Sequence, residues 1–216
     1  MSANCLFVKG CLMIPNLAKI KILSATVLTA FFLSGCAVAL IGGAAAGTSS
    51  VIDRRTTGAQ ADDQIMEMRI KNTAISYLKQ NNNLEGYNPN LSIVSYNRHI
   101  LLLGKVATED ERRFVEQVAR SEQSAQAVYN YIEIAPQVRS FGNISADTWS
   151  TAKVKTVMLG VNGVYPGRVK IVTYDGVTYV MGILTPEEQA AVTQRVSTTA
   201  GVQKVVTLYQ SYMPNN

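Results

Sequence analysis

An internal repeat constrains the fold of this 216-residue chain more than any single motif does. Residues 165–171 (YPGRVKI) follow the pattern of residues 87–93 (YNPNLSI) 78 positions later, and Thr185–Glu188 follows Ala107–Asp110 at the same spacing. Self-similarity of this kind indicates two copies of one supersecondary unit. The copies are predicted to be joined around residues 136–146.

Each copy reads as a helix, two strands, a second helix and a third strand. In the first copy, the leading helix is predicted to begin at Ala61 with Asp62 or Asp63 as its N-cap. Its core-facing residues, by their helical spacing, should be Met68, Ile75 and Leu78. The other elements are strands over 91–96, 99–106 and 127–134, and a helix capped by Thr108. The leading helices align if a gap of three residues places Leu78 against Leu159.

The helix that opens the second copy, predicted over Asp147–Leu159, has two distinct faces. A core face is expected from the spacing of Val154, Val157 and Val161. A different side carries Trp149, Ala152, Lys153 and Thr156, flanked by Lys155 and Leu159. Tryptophan favours the bilayer interface, and lysine beside it would meet anionic headgroups. The alternative is that Trp149 packs against the other copy as an interdomain anchor.

The start of the chain has the features of an export signal. An apolar run covers residues 20–33; Lys19 lies just before it and Lys21 interrupts it. The run leads into Leu33-Ser34-Gly35-Cys36. This ending resembles the lipobox of bacterial lipoproteins, which implies that Cys36 becomes the first mature residue and carries acyl chains, palmitate among them. An ordinary signal peptide or a short transmembrane anchor is the alternative, but the run is shorter than the roughly 20 residues that span a bilayer. Met1 and Met13 both remain plausible starts.

Residues 36–61 are rich in glycine and alanine and show no periodic pattern, so they are expected to form a flexible tether. Arg54 and Arg55 in this stretch would either touch anionic headgroups or remain solvated linker charges. The net charge of +5 is weak support for nucleic-acid binding, because Lys9, Lys19 and Lys21 precede Cys36 and leave 17 basic against 15 acidic side chains. No nucleic-acid partner is expected.

The chain lacks the residue sets that catalysis or metal binding usually requires. Its cysteines are confined to positions 5, 11 and 36, so the folded part can form no disulfide or thiolate metal site. The only histidine is His99, and no G-x-S-x-G elbow or phosphate loop is present. The acidic residues at 109–111 and 187–188 fall in first turns of helices, where capping explains them. We therefore expect no enzyme activity, cofactor or metal.

Two glycine signatures carry a resemblance to a known family. Gly104 and Gly182 each lie in a hydrophobic-Gly-hydrophobic turn off the second strand, and Gly201-Val202 precedes the last strand, although the first copy has Ser124–Ala127 there. These units resemble the BON domain, a lipid-associated module of bacterial envelopes. The resemblance implies an α+β fold of two tandem αββαβ domains, each a small three-stranded mixed sheet packed on two helices. Both glycines are assigned a structural role, since a side chain would collide with a neighbouring element.

The whole arrangement resembles the dual-BON outer-membrane lipoproteins associated with cell division and envelope stress. The expected organisation is a signal peptide over 1–35, a lipidated tether over 36–61, and BON domains over 62–138 and 139–216. The resemblance implies a protein anchored to the outer membrane on its periplasmic side. Ala37 agrees, because the family associates aspartate at that position with retention in the inner membrane.

The same resemblance points to anionic phospholipid as the ligand of the second domain, with Trp149 and Lys155 matching the tryptophan and the basic position of the family. The predicted lipid-binding residues are Trp149, Ala152, Lys153, Lys155, Thr156 and Leu159. The alternative is a protein-interaction adaptor that regulates envelope assembly or cell-wall machinery. Envelope proteins therefore stay open as partners, beside the membrane reached through the acyl chains.

Overall fold

The computed structural model describes residues 53–82, 89–135 and 140–214. The predicted signal, Cys36 and most of the predicted tether lie outside these residues. The first repeat consists of α1 (Thr57–Asn81), β1 (Asn90–Tyr96), β2 (His99–Val106), α2 (Glu109–Arg120) and β3 (Ala127–Ile134). The second consists of α3 (Phe141–Met158), β4 (Val169–Tyr174), β5 (Val177–Leu184), α4 (Pro186–Ser197) and β6 (Lys204–Ser211). The predicted α+β class and the doubled order of elements are confirmed.

Each repeat forms a three-stranded mixed sheet with its second strand in the centre. β1 and β2 are antiparallel around a tight turn, with Tyr96 opposite His99, and β3 lies parallel to β2. The second repeat has the same pattern, with Tyr174 opposite Val177. Helices α2 and α4 provide the crossover that a parallel pair requires.

Three apolar clusters hold together the part of the chain that the structure describes. Two lie within the repeats, between each sheet and its helices. The third lies between the sheets and draws on both repeats; its buried members are Val94, Tyr96, Leu101, Leu103, Tyr174, Tyr179, Met181 and Leu208. Because side chains alternate along a strand, Ile100 and Leu102 face the first cluster while Leu101 and Leu103 face the other repeat. The two sheets therefore pack face to face, with the helices outside.

Polar contacts surround this apolar interface. The Tyr96 hydroxyl donates to the carbonyl of Arg168 at 2.8 Å, and the Lys170 ammonium donates to the carbonyl of Ser95 at 3.0 Å. Lys105 forms an ion pair with Asp175 at 2.6 Å. These bonds fix the register of one sheet on the other, so the first repeat packs against the second.

The segment before the first helix is bound into the fold, which corrects the sequence-based interpretation of Arg54 and Arg55. Arg54 pairs with Glu188 of the second repeat, donates to the carbonyl of Ile183 at 2.8 Å, and has a side chain only 14% exposed. Arg55 pairs with Asp53 at 2.7 Å and with Asp63 at 3.0 Å. Neither arginine is a free linker charge or available to headgroups.

Both leading helices begin earlier than predicted. Thr56, whose hydroxyl accepts from the amide of Ala59, caps α1, so Asp62 and Asp63 lie inside the helix. Ser140 caps α3, so Asp147 is a mid-helix residue and not its start. Threonine and serine satisfy the otherwise unpaired first amides of a helix, as aspartate would have done.

The predicted alignment of the leading helices was also wrong. The carboxylate of Asp63 accepts from the amides of Asn97 and Arg98 in the first hairpin, and that of Asp147 accepts from the amides of Asp175 and Gly176 in the second. These aspartates are 84 positions apart and the hairpins 78, so the gap between the repeats is six residues. Val154 then corresponds to Ile70.

Two details of the predicted cores differ as well. Met68 is 61% exposed on α1, whereas Met66 and Ile70 are buried in its place. On α3, Val154 is buried as expected and Met158 is fully enclosed, but Val157 is only half-buried. Val161 lies beyond the end of the helix and is also half-buried. In the part of the chain that the structure describes, no helix is both long and apolar enough to cross a membrane.

Candidate functional site

The outward side of α3 carries the residues that the sequence singled out. Its inward side is fixed by Asp147, Val154 and Met158, all buried, so residues half a turn away must face solvent. Trp149 is 66% exposed there, and Ala152 and Thr156 are exposed one and two turns along. Exposure of a large indole ring to water does not stabilise the fold. This side of α3 is therefore a candidate binding surface.

Four of the predicted residues line a depression of about 500 Å³ between α3 and the C-terminal end of α4, called here the α3–α4 depression. Its full lining is Trp149, Ala152, Lys153, Thr156, Val157, Arg195, Thr198, Thr199 and Ala200. The sequence reasoning missed the α4 side of this lining. Arg195 in the last turn of α4 was the available signal, because that helix connects β5 to β6 of the sheet against which α3 packs.

Lys155 and Leu159 lie on the other flank of α3. They line a second depression of about 420 Å³ with Met158, Pro166 and Ile171, and Leu159 is 72% exposed. The structure therefore places five of the six predicted residues on α3 and Leu159 at its C-cap, but divides them between the two flanks of the helix. Thr156 lines both depressions.

Further apolar side chains extend the exposed surface along α3. Phe141 at its start is 84% exposed, and Ile144, one turn later, is exposed as well. Together with Trp149 and the C-cap residue Leu159, they give α3 several exposed apolar side chains alongside Lys153 and Lys155. An amphipathic helix that lies in a membrane interface has this combination of aromatic, aliphatic and basic residues.

The electrostatics of the α3–α4 depression are positive. The Lys153 ammonium lies 5.9 Å from the centre of the Trp149 ring, within the range of a cation–π contact. None of the lining residues is acidic. Among the described residues, Lys153, Lys155 and Arg195 form no ion pair with a carboxylate. The depression can therefore attract an anion without first breaking a salt bridge.

The titratable residues elsewhere have structural roles. The ring of His99 contacts the Tyr129 hydroxyl at 3.2 Å, and burial lowers the pKa of His99. Thr185 and Glu188 form a complete capping box at the start of α4. Burial by itself would raise the pKa of Glu188, but hydrogen bonds from Arg54 and from the Thr185 backbone lower it overall. Within the described ranges, no group of three or more His, Cys, Asp or Glu side chains could hold a metal.

The two glycines of the second strands sit where backbone passes closely. A Cβ on Gly104 would lie 2.5 Å from Leu91 Cδ2 and 3.0 Å from the Asn90 carbonyl oxygen. On Gly182 it would lie 2.9 Å from the carbonyl oxygen of Arg168. Real Cβ atoms do not approach neighbours this closely, so each glycine keeps the first strand of its repeat against the second.

Comparison with known proteins gives a consistent result. Residues 69–136 and 146–208 each match the BON domain. Outer membrane lipoprotein DolP of Haemophilus influenzae is 31% identical over 195 residues, which span 90% of this chain and 98% of that protein. The 21 kDa hemolysin of Actinobacillus pleuropneumoniae is 28% identical over 155 residues, covering 72% of this chain and 77% of that protein.

Among solved structures, the chain is similar to CdsD, a structural protein of the type III secretion system of Chlamydia trachomatis. The TM-score is 0.27 at 13% identity, over 68% of this chain and 63% of that one. A second structure, of the CdsD C-terminal domain, also gives a TM-score of 0.27, at 14% identity over 72% of this chain and 67% of that one. Likeness at this level supports no argument about function.

Proposed function

The chain belongs to the BON-domain family as an outer-membrane lipoprotein with two BON domains, and on that basis we propose that it binds anionic phospholipid through its second repeat. Cys36 would carry the acyl chains that hold the protein at the membrane, on its periplasmic side. Lipid binding by the second repeat would then recruit it to particular zones, division sites among them, and so support envelope integrity.

The observation that carries the proposal is the position of Trp149. Its ring is two-thirds exposed on the outward side of α3, with the Lys153 ammonium within cation–π distance and Lys155 on the adjacent flank. Tryptophan and lysine together suit the interface of an anionic membrane, where the ring enters the headgroup layer and each ammonium contributes about 1 kcal/mol. The alternative role of Trp149 as an anchor between the repeats is not supported, because the interface between the sheets lies elsewhere.

Two membrane contacts on one chain would reinforce each other. An acyl anchor confines the protein to a surface, which raises the effective concentration of lipid at a weak second site. A site built from one tryptophan and two or three cations can then act although it would bind weakly in isolation.

The test is flotation with vesicles of a fragment covering residues 53–216. Every described helix, strand and apolar cluster lies within this span, and the fragment lacks Cys36. We expect it to bind phosphatidylglycerol vesicles better than phosphatidylcholine vesicles, and Trp149→Glu to abolish the difference. Met68→Glu is the matched control, because Met68 is similarly exposed on the leading helix of the first repeat. Equal binding to both vesicle types would refute the proposal.

The runner-up function is a protein-interaction adaptor in which Trp149 anchors an envelope protein. Photo-crosslinking from position 149 in cells separates the two functions. Lipid adducts alone are expected if the second repeat binds membrane. A protein adduct that disappears with Ala152→Glu would favour the adaptor.

A further inference from the structure

The α3–α4 depression offers more than the exposed side of one helix. We propose that it is a headgroup site in which Lys153 of α3 and Arg195 of α4 bind the phosphodiester of a single anionic lipid from two sides. This inference rests on the proposed function. It adds a second helix, α4, to the lipid contact, and it replaces a general attraction to the membrane surface with a defined site.

The size and lining of the depression suit a headgroup. Its volume of about 500 Å³ falls within the range of small-molecule sites in proteins. Small apolar side chains, Ala152, Val157 and Ala200, form part of the lining, and the hydroxyls of Thr198 and Thr199 lie at the end of α4. The exposed ring of Trp149 belongs to the same lining and offers an apolar surface to an acyl chain.

Among the described residues, Lys153 and Arg195 form no ion pair with a carboxylate and can bind an anion. The arginines of α2, the helix of the first repeat that corresponds to α4, are paired instead. On α2, all three arginines pair with a carboxylate of their own helix: Arg112 with Glu109, Arg113 with Asp110 and Arg120 with Glu116. In the described part of the chain, Arg195 instead makes a long hydrogen bond of 3.4 Å from Nε to the carbonyl of Val157 on α3. A phosphate would therefore gain a guanidinium without displacing an acidic partner.

The loop after α4 accommodates Lys153. Gly201 has a φ of +96°, and a Cβ there would lie 2.9 Å from the Lys153 ammonium nitrogen. The absence of a side chain at Gly201 leaves room for the ammonium at the edge of the depression. A larger residue would displace the ammonium from this position.

The end of α4 would normally repel an anion, because helix carbonyls carry partial negative charge at the C-terminus. Here the hydroxyl of Thr198 donates to the carbonyl of Gln194 at 2.9 Å, and that of Thr199 donates to the carbonyl of Arg195 at 2.8 Å. These bonds give two carbonyls in the last turns of α4 a hydroxyl donor. The hydroxyl oxygens themselves remain as acceptors for a headgroup that carries hydroxyls.

Binding of the 53–216 fragment to mixed phosphatidylglycerol and phosphatidylcholine vesicles tests the site. Arg195→Gln should weaken binding about tenfold or more, the effect of losing a hydrogen bond between charged groups. Lys204→Gln, which removes an exposed charge of the same repeat outside the depression, should weaken it about fivefold or less. Arg195→Lys keeps the charge but loses the planar fork, so it should still weaken binding about threefold or more.

The outcomes separate this site from the broader proposal. If Trp149→Glu abolishes binding while Arg195→Gln behaves like Lys204→Gln, or Arg195→Lys binds like the wild type, the two-helix site is wrong and lipid binding by α3 stands. If the wild-type fragment does not prefer anionic vesicles at all, both proposals fail. Unchanged thermal unfolding of the Arg195 variants serves as the folding control.

Discussion

Arg54, which precedes the first repeat, forms a bidentate ion pair with Glu188 at the start of α4 in the second repeat. Its guanidinium also lies 3.9 Å from the centre of the Tyr212 ring, near the end of the chain. The residues just before the first helix are therefore bound to the second repeat.

Helix α4 relates this ion pair to the candidate site. Glu188 and Arg195 are seven residues apart on α4, a distance of about 10 Å along the helix. The Arg54–Glu188 ion pair and the α3–α4 depression thus lie at the two ends of α4.

Replacing the guanidinium of Arg54 with a neutral amide should destabilise the whole fold. Arg54→Gln leaves the half-buried Glu188 with a weaker set of partners, although Arg168 still lies 2.8 Å from it. We expect the free energy of unfolding in urea to fall by about 1–3 kcal/mol. Arg113→Gln breaks an exposed ion pair with Asp110 and should cost about 0.5 kcal/mol or less. Equal losses in the two variants would contradict the role given to Arg54.

The same ion pair should make stability depend on pH in the acid range. The pKa of Glu188 is lower in the folded protein than in the unfolded chain, so its contribution is complete above its ordinary pKa and is lost as pH falls through the folded value. Unfolding curves of the wild type and of Glu188→Gln should therefore differ most near neutral pH and converge below about pH 4. A difference in stability that stays constant with pH would show that the carboxylate charge is not involved.

Asp63 should be among the most sensitive positions of the first repeat. One of its carboxylate oxygens accepts from Arg98 N and Ser95 Oγ, and the other accepts from Asn97 N, each at 2.7 Å. Asp63→Asn turns an NH₂ group toward one set of these donors, which should cost about 2–3 kcal/mol in urea unfolding. Asp62→Asn is the control, because it alters only a half-exposed pair with Arg98 and should cost less than about 1 kcal/mol.

Gly182 should not tolerate a methyl group. Gly182→Ala places a Cβ against the backbone before β4, and we expect a loss of about 1–3 kcal/mol in the free energy of unfolding. Gly167→Ala has no atom within 4 Å of the added Cβ and should be close to neutral. If both variants have the same free energy of unfolding, the close approach of the backbone does not explain why position 182 is a glycine.

The elements of the fold could be predicted because each depends on local pattern. The strands over 99–106 and 127–134 have the predicted bounds, and Thr108 caps α2 as expected through its bond to the amide of Glu111. The comparisons confirm the BON resemblance and the placement in the outer membrane. Local propensity and capping chemistry need no knowledge of the partner repeat.

Contacts between the repeats could not be derived in the same way. The partner of Arg54 lies 134 positions away, and no periodic pattern links an arginine to a glutamate at such a distance. One signal was present, however: Ile100–Leu103 is continuously apolar, which is typical of a strand buried on both faces. That run indicated that a second layer covers the sheet, and the structure shows that the other repeat is this layer.

The candidate site was predictable only in the part that lies on a single helix. Helical periodicity alone placed Trp149, Lys153 and Thr156 together, because they lie on one helix. It could not connect them to Arg195, which reaches the same depression only through the packing of α3 beside α4 on the second sheet.

The fluorescence of Trp149 is the most direct test of whether the second repeat binds anionic membrane, since Trp149 is the only tryptophan in the chain. The ring is exposed to water in the structure, so insertion into the headgroup layer should change its surroundings markedly. With phosphatidylglycerol vesicles, we expect a blue-shifted emission and quenching by brominated acyl chains, and neither change with phosphatidylcholine vesicles. Emission that stays at the wavelength of a water-exposed indole, and is unaffected by brominated lipid, would contradict this expectation.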